Sequence, residues 1–164
     1  MWETRTAMEK SMVIRKATMQ DVEQLRPLYI ELEEDAVMYQ PEHFVIGYRD
    51  DGFFKNIIES DTQDILVAEC ESNIVGFCHI MISQTKNVSC LKEQIYAYIQ
   101  DLVVSEEKRN CGIGAKLMAA SREYGRKHGA EFIRLSVFPK NSSGLRFYER
   151  DGFCEMMKTL ECPI

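Results

Sequence analysis

The 164-residue sequence is poor in several features that would assign a chain to a class at once. Its cysteines, at 70, 78, 90, 111, 154 and 162, never stand two residues apart, so neither a zinc ribbon nor a CxxC redox motif can be written on them. A reduced set of the cytoplasmic kind is expected. No apolar run approaches the roughly 20 residues of a membrane span, and the opening MWETRTAMEK places charges where a secretory leader needs an apolar core. Basic charge is not in excess: 20 Lys and Arg stand against 26 Asp and Glu, which argues against a nucleic-acid partner. HxxxH, GxSxG and a GK[ST] phosphate loop are all missing, and GxGxxG fails because Leu117 stands where its third glycine belongs. Metal catalysis, an acyl-serine elbow and a nucleoside triphosphate site are thereby disfavoured.

What is present is an ordinary globular composition, 45% hydrophobic and 28% charged, sufficient for one domain with a sizeable core. Residues 1–11 lack periodicity and are expected to be a flexible extension, leaving 12–164 as a single domain. Charge is distributed unevenly. Gln20 to Glu71 holds 3 basic and 14 acidic residues, whereas Ser105 to Arg150 holds 10 basic and 5 acidic, so two electrostatic faces are expected.

The elements alternate in type. Met12 to Lys16 reads as a strand, and Thr18 to Asp21 as a capping box opening a helix whose apolar spacing (Val22, Leu25, Leu28, Tyr29, Leu32) continues past Pro27 and runs out near Asp35. Residues 36–47 read as a lid-like connection before a short helix at Phe53 to Ile58. Ile65 to Cys70 and Ile74 to Ile82 form a hairpin about Glu71-Ser-Asn73. Gln94 to Val104 and Phe132 to Phe138 are further strands, flanking a helix from Gly112 to His128 with Gly129 as its stop. A helix at Ser142 to Arg150 and an edge strand at Cys154 to Leu160 complete a mixed α/β pattern.

Chemistry concentrates where a strand (IQDLVV, 99–104) runs through a glycine loop (RNCGIG, 109–114) into a helix. The first turn of a helix has unpaired N–H groups and partial positive charge; glycines let an anion approach them, and Arg109 adds a formal charge. By themselves these residues also suit a glycine-permitted turn with a surface arginine. The loop fits [RQ]xxGx[GA]. Together with FIRLSVF (132–138) and NSSGLRFYERDGF (141–153), in this order and spacing, it resembles the GNAT superfamily of acetyl-CoA-dependent N-acetyltransferases.

That resemblance implies a GNAT acyltransferase fold, an α/β (α+β) arrangement with a mostly antiparallel twisted sheet of six or seven strands and about four helices. It implies acetyl-CoA as co-substrate and no metal. Pyrophosphate contacts carried over by motif fall on Arg109, Asn110, Gly112, Gly114 and Ala115. The main chains of Leu102, Val103 and Val104, on a bulged and splayed strand, would pair with the acetyl and pantetheine amides. Asn141 becomes a cofactor or orienting contact and Tyr148 the general acid at sulfur. Relatives carry an acidic residue at the positions of Gln100 and Asp101. Gln100 cannot take a proton, so the base falls to Asp101 or water; Glu33 or Glu34 could instead hold the amine.

The implied activity is direct acetyl transfer to a primary amine of a small molecule or protein, with the acidic N-terminal half favouring a cationic acceptor. Members of this family often pair as homodimers. A non-catalytic acyl-CoA sensor of the same fold, suggested by Gln100, and a partner-binding module with a basic docking face are the competing readings. His79 in an apolar strand reads as a satisfied core histidine, and Cys111 as a loop residue away from the acetyl group.

Overall fold

In a computed structural model that describes residues 12–85 and 87–164, the elements run β1 (Met12–Lys16), α1 (Val22–Tyr39), α2 (Asp51–Ile58), β2 (Gln63–Cys70), β3 (Asn73–Gln84), β4 (Ile95–Val104), α3 (Ile113–Lys127), β5 (Phe132–Leu135) and α4 (Ser142–Arg150). The expected extension at 1–11 lies outside the described residues. One sheet has the order β1-β2-β3-β4-β5, antiparallel throughout except for the parallel pair β4 and β5. This is the expected mixed, mostly antiparallel α/β fold.

Strand alternation divides the core between the two faces of the sheet. On one face α1 and α2 bury Val22, Leu25, Leu28, Tyr29, Phe54 and Ile57 against Ile65, Val67, Phe77 and Val103. On the other, α3 lays Ile113, Leu117, Met118 and Tyr124 on Cys78, Ile80, Ala97 and Ile99, with Phe147, Tyr148 and Phe153 packed alongside. The acidic stretch thus builds the α1/α2 face and the basic stretch the α3/α4 face.

The corner between β1 and α1 is locked by charge. Thr18 and Asp21 form the expected capping box, the Thr18 N–H donating to Asp21 Oδ2 at 2.7 Å. Arg15 meets Asp21 at 2.8 Å and Glu69 at 2.6 Å. The Arg15 guanidinium holds the Asp21 carboxyl at about 2, below the usual aspartate range. The β2–β3 hairpin turns through Glu71 and Ser72 with φ of 51° and 65°, the left-handed pair of a type I′ reversal usually given to Asn-Gly.

Three elements differ from the sequence reading. α1 runs on to Tyr39 because Ala36 still faces the core, which shortens the connection to residues 40–50. β5 stops at Leu135, since its partner β4 pairs with it only through Ile99; Ser136 to Phe138 have no ladder to join. Cys154 to Leu160 forms no strand: adjacent Met156 and Met157 break the two-residue alternation, and both are exposed, as is Leu160. The sheet of the described residues therefore has five strands where six or seven were expected.

Candidate active site

The site begins with one extra residue in β4. His79 pairs with Asp101, but the next residue of β3, Ile80, pairs with Ile99, so Gln100 is a bulge. The parallel pairing with β5 covers Tyr96 to Ile99 and ends at the same place. Beyond it, Asp101 to Val104 remain paired with β3 while, among the described residues, no strand pairs with their other edge, so main-chain groups of alternate residues are turned toward space that an extended amide-bearing ligand could fill. Leu102, Val103 and Val104, expected to offer these groups, lie on this splayed segment, but the Val103 carbonyl is directed at Gly76 on β3 and the Val104 carbonyl already accepts from Arg109 Nε, so the open edge is presented by Leu102 and Val104 and not by Val103. Gly76 is required opposite them: a Cβ there would stand 2.8 Å from the Val103 carbonyl oxygen.

At the end of this segment the chain turns through the glycine loop. Asn110 and Gly112 are left-handed (φ 62° and 79°), and the open space beside Gly112 would admit a ligand. The helical ladder of α3 starts with the Lys116 N–H on the Gly112 carbonyl, so the amides of Ile113, Gly114 and Ala115 precede it and are oriented as a first helical turn. Gly114 sits against the Phe147 ring, where an added Cβ would be 3.4 Å from it. The loop thus fits an anionic group. Arg109 is placed differently from a free phosphate ligand: its Nε donates to the Val104 carbonyl at 3.1 Å and its Nη2 lies 3.3 Å from Asp35 Oδ2 on α1. Cys111 points its thiol at the Arg109 carbonyl, 3.6 Å away.

α4 brings Tyr148 onto the α3 face, edge-on to Phe147 and Phe153 with centroids 5.2 and 5.7 Å away. Burial, with a smaller contribution from Cys78, pushes its phenol up to about 12. Asn141 is the N-cap of this helix, its Oδ1 accepting from the Gly144 N–H at 2.8 Å and the Ser143 hydroxyl at 3.1 Å. In this structure it orients α4.

Asp101 lies on the opposite face. The bulge shifts its register so that it is cross-strand from His79, on the side of Phe77, Tyr29 and Val103. His79 Nδ1 is 3.4 Å from Asp101 Oδ2, and His79 Nε2 is 3.0 Å from Gln63 Oε1 on β2. Tyr29 packs on Phe77, the ring centroids 4.3 Å apart and the planes tilted by 33°, with the Arg49 guanidinium 4.4 Å above its ring. Its phenol is raised well above the ordinary range, by burial first and the Asp101 charge second. Glu33 is mostly buried and committed to Arg49 and to the Gly47 N–H, whereas Glu34 is exposed.

No motif or spacing in the sequence marks His79, Gln63 or Tyr29 as members of the site. His79 is buried as expected, but it faces Asp101 rather than being satisfied within the core. Among the described residues no cluster of His, Cys, Asp and Glu could hold a metal ion, and no helix is long and apolar enough to cross a membrane.

The acetyltransferase (GNAT) family model matches residues 22–153, and the chain belongs to that family. An aminoalkylphosphonate N-acetyltransferase of Salmonella typhimurium is 31% identical over 140 residues, covering 85% of this chain and 83% of that protein. An uncharacterized N-acetyltransferase of Methanocaldococcus jannaschii is 27% identical over 148 residues, 89% of this chain but only 62% of its relative. A mutant of the BH1408 protein of Bacillus halodurans superposes with a TM-score of 0.88 at 28% identity, covering 93% of this chain and 99% of that one. An aminoglycoside N-acetyltransferase in complex with CoA shares the fold at 18% identity, with a TM-score of 0.70 and coverage of 93% and 94%.

Proposed function

We propose that the protein transfers the acetyl group of acetyl-CoA directly to a primary amine of a small molecule. The observation that carries this reading is the bulge at Gln100. It opens the edge of β4 beside a helix start whose free amides suit an anion, and turns Asp101 to the face opposite the one on which α4 carries Tyr148, which supports this reading. An extended thioester fits such a slot with a carboxylate on one side and a phenol on the other.

Acetyl-CoA supplies the activated acyl carbon. Loop amides from Gly112 to Ala115 hold the diphosphate, assisted by Asn110, and Arg109 joins them on leaving Asp35. Asp101 takes the proton that the acceptor ammonium must lose, so that the neutral nitrogen forms its bond to the acyl carbon as the carbon–sulfur bond breaks. Main-chain N–H groups of β4 donate to the carbonyl oxygen as it gains charge. The second proton that the nitrogen sheds on becoming an amide passes to the departing thiolate, and Tyr148 donates a hydrogen bond to that sulfur as its charge builds. Much of the acceleration comes from holding the two substrates together.

The acidic α1/α2 face, from which an acceptor would reach Asp101, supports a cationic amine. The reading is tested by thiol release from acetyl-CoA across an amine panel that includes 2-aminoethylphosphonate, kanamycin and spermidine. Turnover with at least one amine, abolished in Asp101→Leu, is expected. Thermal stabilisation by acetyl-CoA without thiol release on any amine would identify a sensor instead. No stabilisation at all would overturn both.

A further inference from the structure

Two buried side-chain polar atoms among the described residues have no hydrogen-bond partner, Tyr29 Oη and His79 Nδ1, and the second faces Asp101. His79 is only 6% exposed. An orphaned donor or acceptor at such depth costs about 1–3 kcal/mol, which a core histidine facing apolar neighbours would have no reason to retain. The 3.4 Å separation from Asp101 Oδ2 is an ion-pair distance and not yet a hydrogen bond.

The chemistry of its two neighbours decides the proton on the ring. Gln63 can present either its carbonyl or its NH₂ to Nε2, because the amide turns end for end, whereas an ionised Asp101 can only accept. A neutral imidazole satisfies both only with its hydrogen on Nδ1, donated to Asp101, and with the Gln63 amide turned so that its NH₂ donates to Nε2 in place of the Oε1 that lies 3.0 Å away; a ring protonated on both nitrogens would likewise donate from Nδ1 to Asp101. We propose that His79 is a positioning residue. Gripped by Gln63 on β2, it fixes the Asp101 carboxylate through Nδ1–H and leaves the other carboxylate oxygen for the acceptor amine. The bulge is what makes the arrangement possible, because without the extra residue the partner of His79 would be Gln100. This assignment deepens the transferase reading above and rests on it for its catalytic meaning, although the hydrogen bond itself does not.

The ring proton is read directly by nitrogen NMR of the ¹⁵N-labelled chain at alkaline pH, where imidazoles are neutral. Only His43, His79 and His128 contribute, and His79→Asn assigns the signal. Wild type is expected to show His79 protonated at Nδ1, and Asp101→Leu to move the proton to Nε2. A wild-type ring protonated at Nε2 and not at Nδ1 overturns the proposal, as does a tautomer unchanged in a folded Asp101→Leu; if that variant fails to fold, the wild-type tautomer decides alone. With an acceptor from the panel, His79→Ala should lower kcat on the order of tenfold. KM for acetyl-CoA should stay within about twofold. His79→Asn, which keeps a donor near the Nδ1 position, should recover most of the loss. Wild-type turnover in His79→Ala overturns the role. A panel without any acceptor would instead count against the transferase reading, and the tautomer would still settle the pair.

Discussion

Replacing Tyr148 with phenylalanine tests what kind of help the departing sulfur receives. A phenol at about 12 is a much weaker acid than a thiol of the cysteine type, near 8.5, so full transfer of its proton to the thiolate is uphill by about 5 kcal/mol. Tyr148 is therefore expected to keep its proton and act by donating a hydrogen bond that strengthens as negative charge builds on sulfur. Such bonds to charged groups are worth about 1.5–3 kcal/mol, which converts to a loss in kcat of roughly 10- to 150-fold. Because the bond forms only as the sulfur departs, KM for acetyl-CoA should change little. The ring edges of Phe147 and Phe153 contact carbon, so the fold should survive removal of the hydroxyl. Steady-state thiol release from pH 6 to 10 provides the assay. The wild-type profile should show no alkaline fall attributable to Tyr148 in this range, and the variant should run parallel below it. An alkaline limb present in wild type and lost in Tyr148→Phe would show a phenol titrating near neutrality and refute the reasoning; so would unchanged kcat.

The Asp21 carboxyl, held at about 2 in the fold against an ordinary 3.8, stabilises the protein by about 2 kcal/mol. Because the folded value is the lower one, that contribution is complete above about pH 4 and lost as pH falls toward 2. Urea melts should show a steeper acid loss for wild type than for Asp21→Asn, and identical slopes would remove the Arg15 pair as the cause. Gly76→Ala drives a methyl into the Val103 carbonyl at 2.8 Å, and should destabilise by about 2 kcal/mol while raising KM for acetyl-CoA. A variant of native stability with native KM would mean that β3 and β4 can separate freely there. Asp35→Asn frees Arg109 from an exposed ion pair worth at most about 1 kcal/mol, so the dissociation constant for CoA by calorimetry should fall by up to about fivefold at low salt. Weaker binding would show that Asp35 orders the loop in its binding form.

The portion of the site legible in the sequence was local in origin. The first turn of α3 follows from Gly112, Ile113 and Gly114 in succession; the β1–α1 corner follows from Thr18 and Asp21, three residues apart. Each is written within one short segment, where backbone preference and spacing suffice. The contact between His79 and Asp101 depends instead on the register of two strands more than twenty residues apart, and that register changes by one at Gln100. The family resemblance implies a bulge somewhere in this strand, but a glutamine carries no mark that places it at position 100 or that sets Asp101 opposite His79. The reach of β5 is hidden for a related reason: FIRLSVF has strand composition throughout, but a strand ends where its partner departs. Glu33 shows the limit of charge counting, since a carboxylate within an acidic run is buried against Arg49 of the following connection.

One inserted residue performs two tasks that would otherwise conflict. A sheet edge opened for an amide-bearing ligand must lose its neighbour, yet the residues along it must stay fixed; β4 achieves this by holding β3 while releasing β5. Period-two alternation would set Asp101 opposite Cys78, beneath α3 and on the same face as Tyr148, where a carboxylate would be enclosed by Ile80, Leu117 and Ile99. The extra residue carries it across to the α1 face, beside His79 and within the acidic half of the molecule. Opening the slot and carrying Asp101 away from the face of Tyr148 are thus one structural event; in the proposed mechanism this is what lets a glutamine unable to take a proton occupy the bulge while the carboxylate assigned as base follows it.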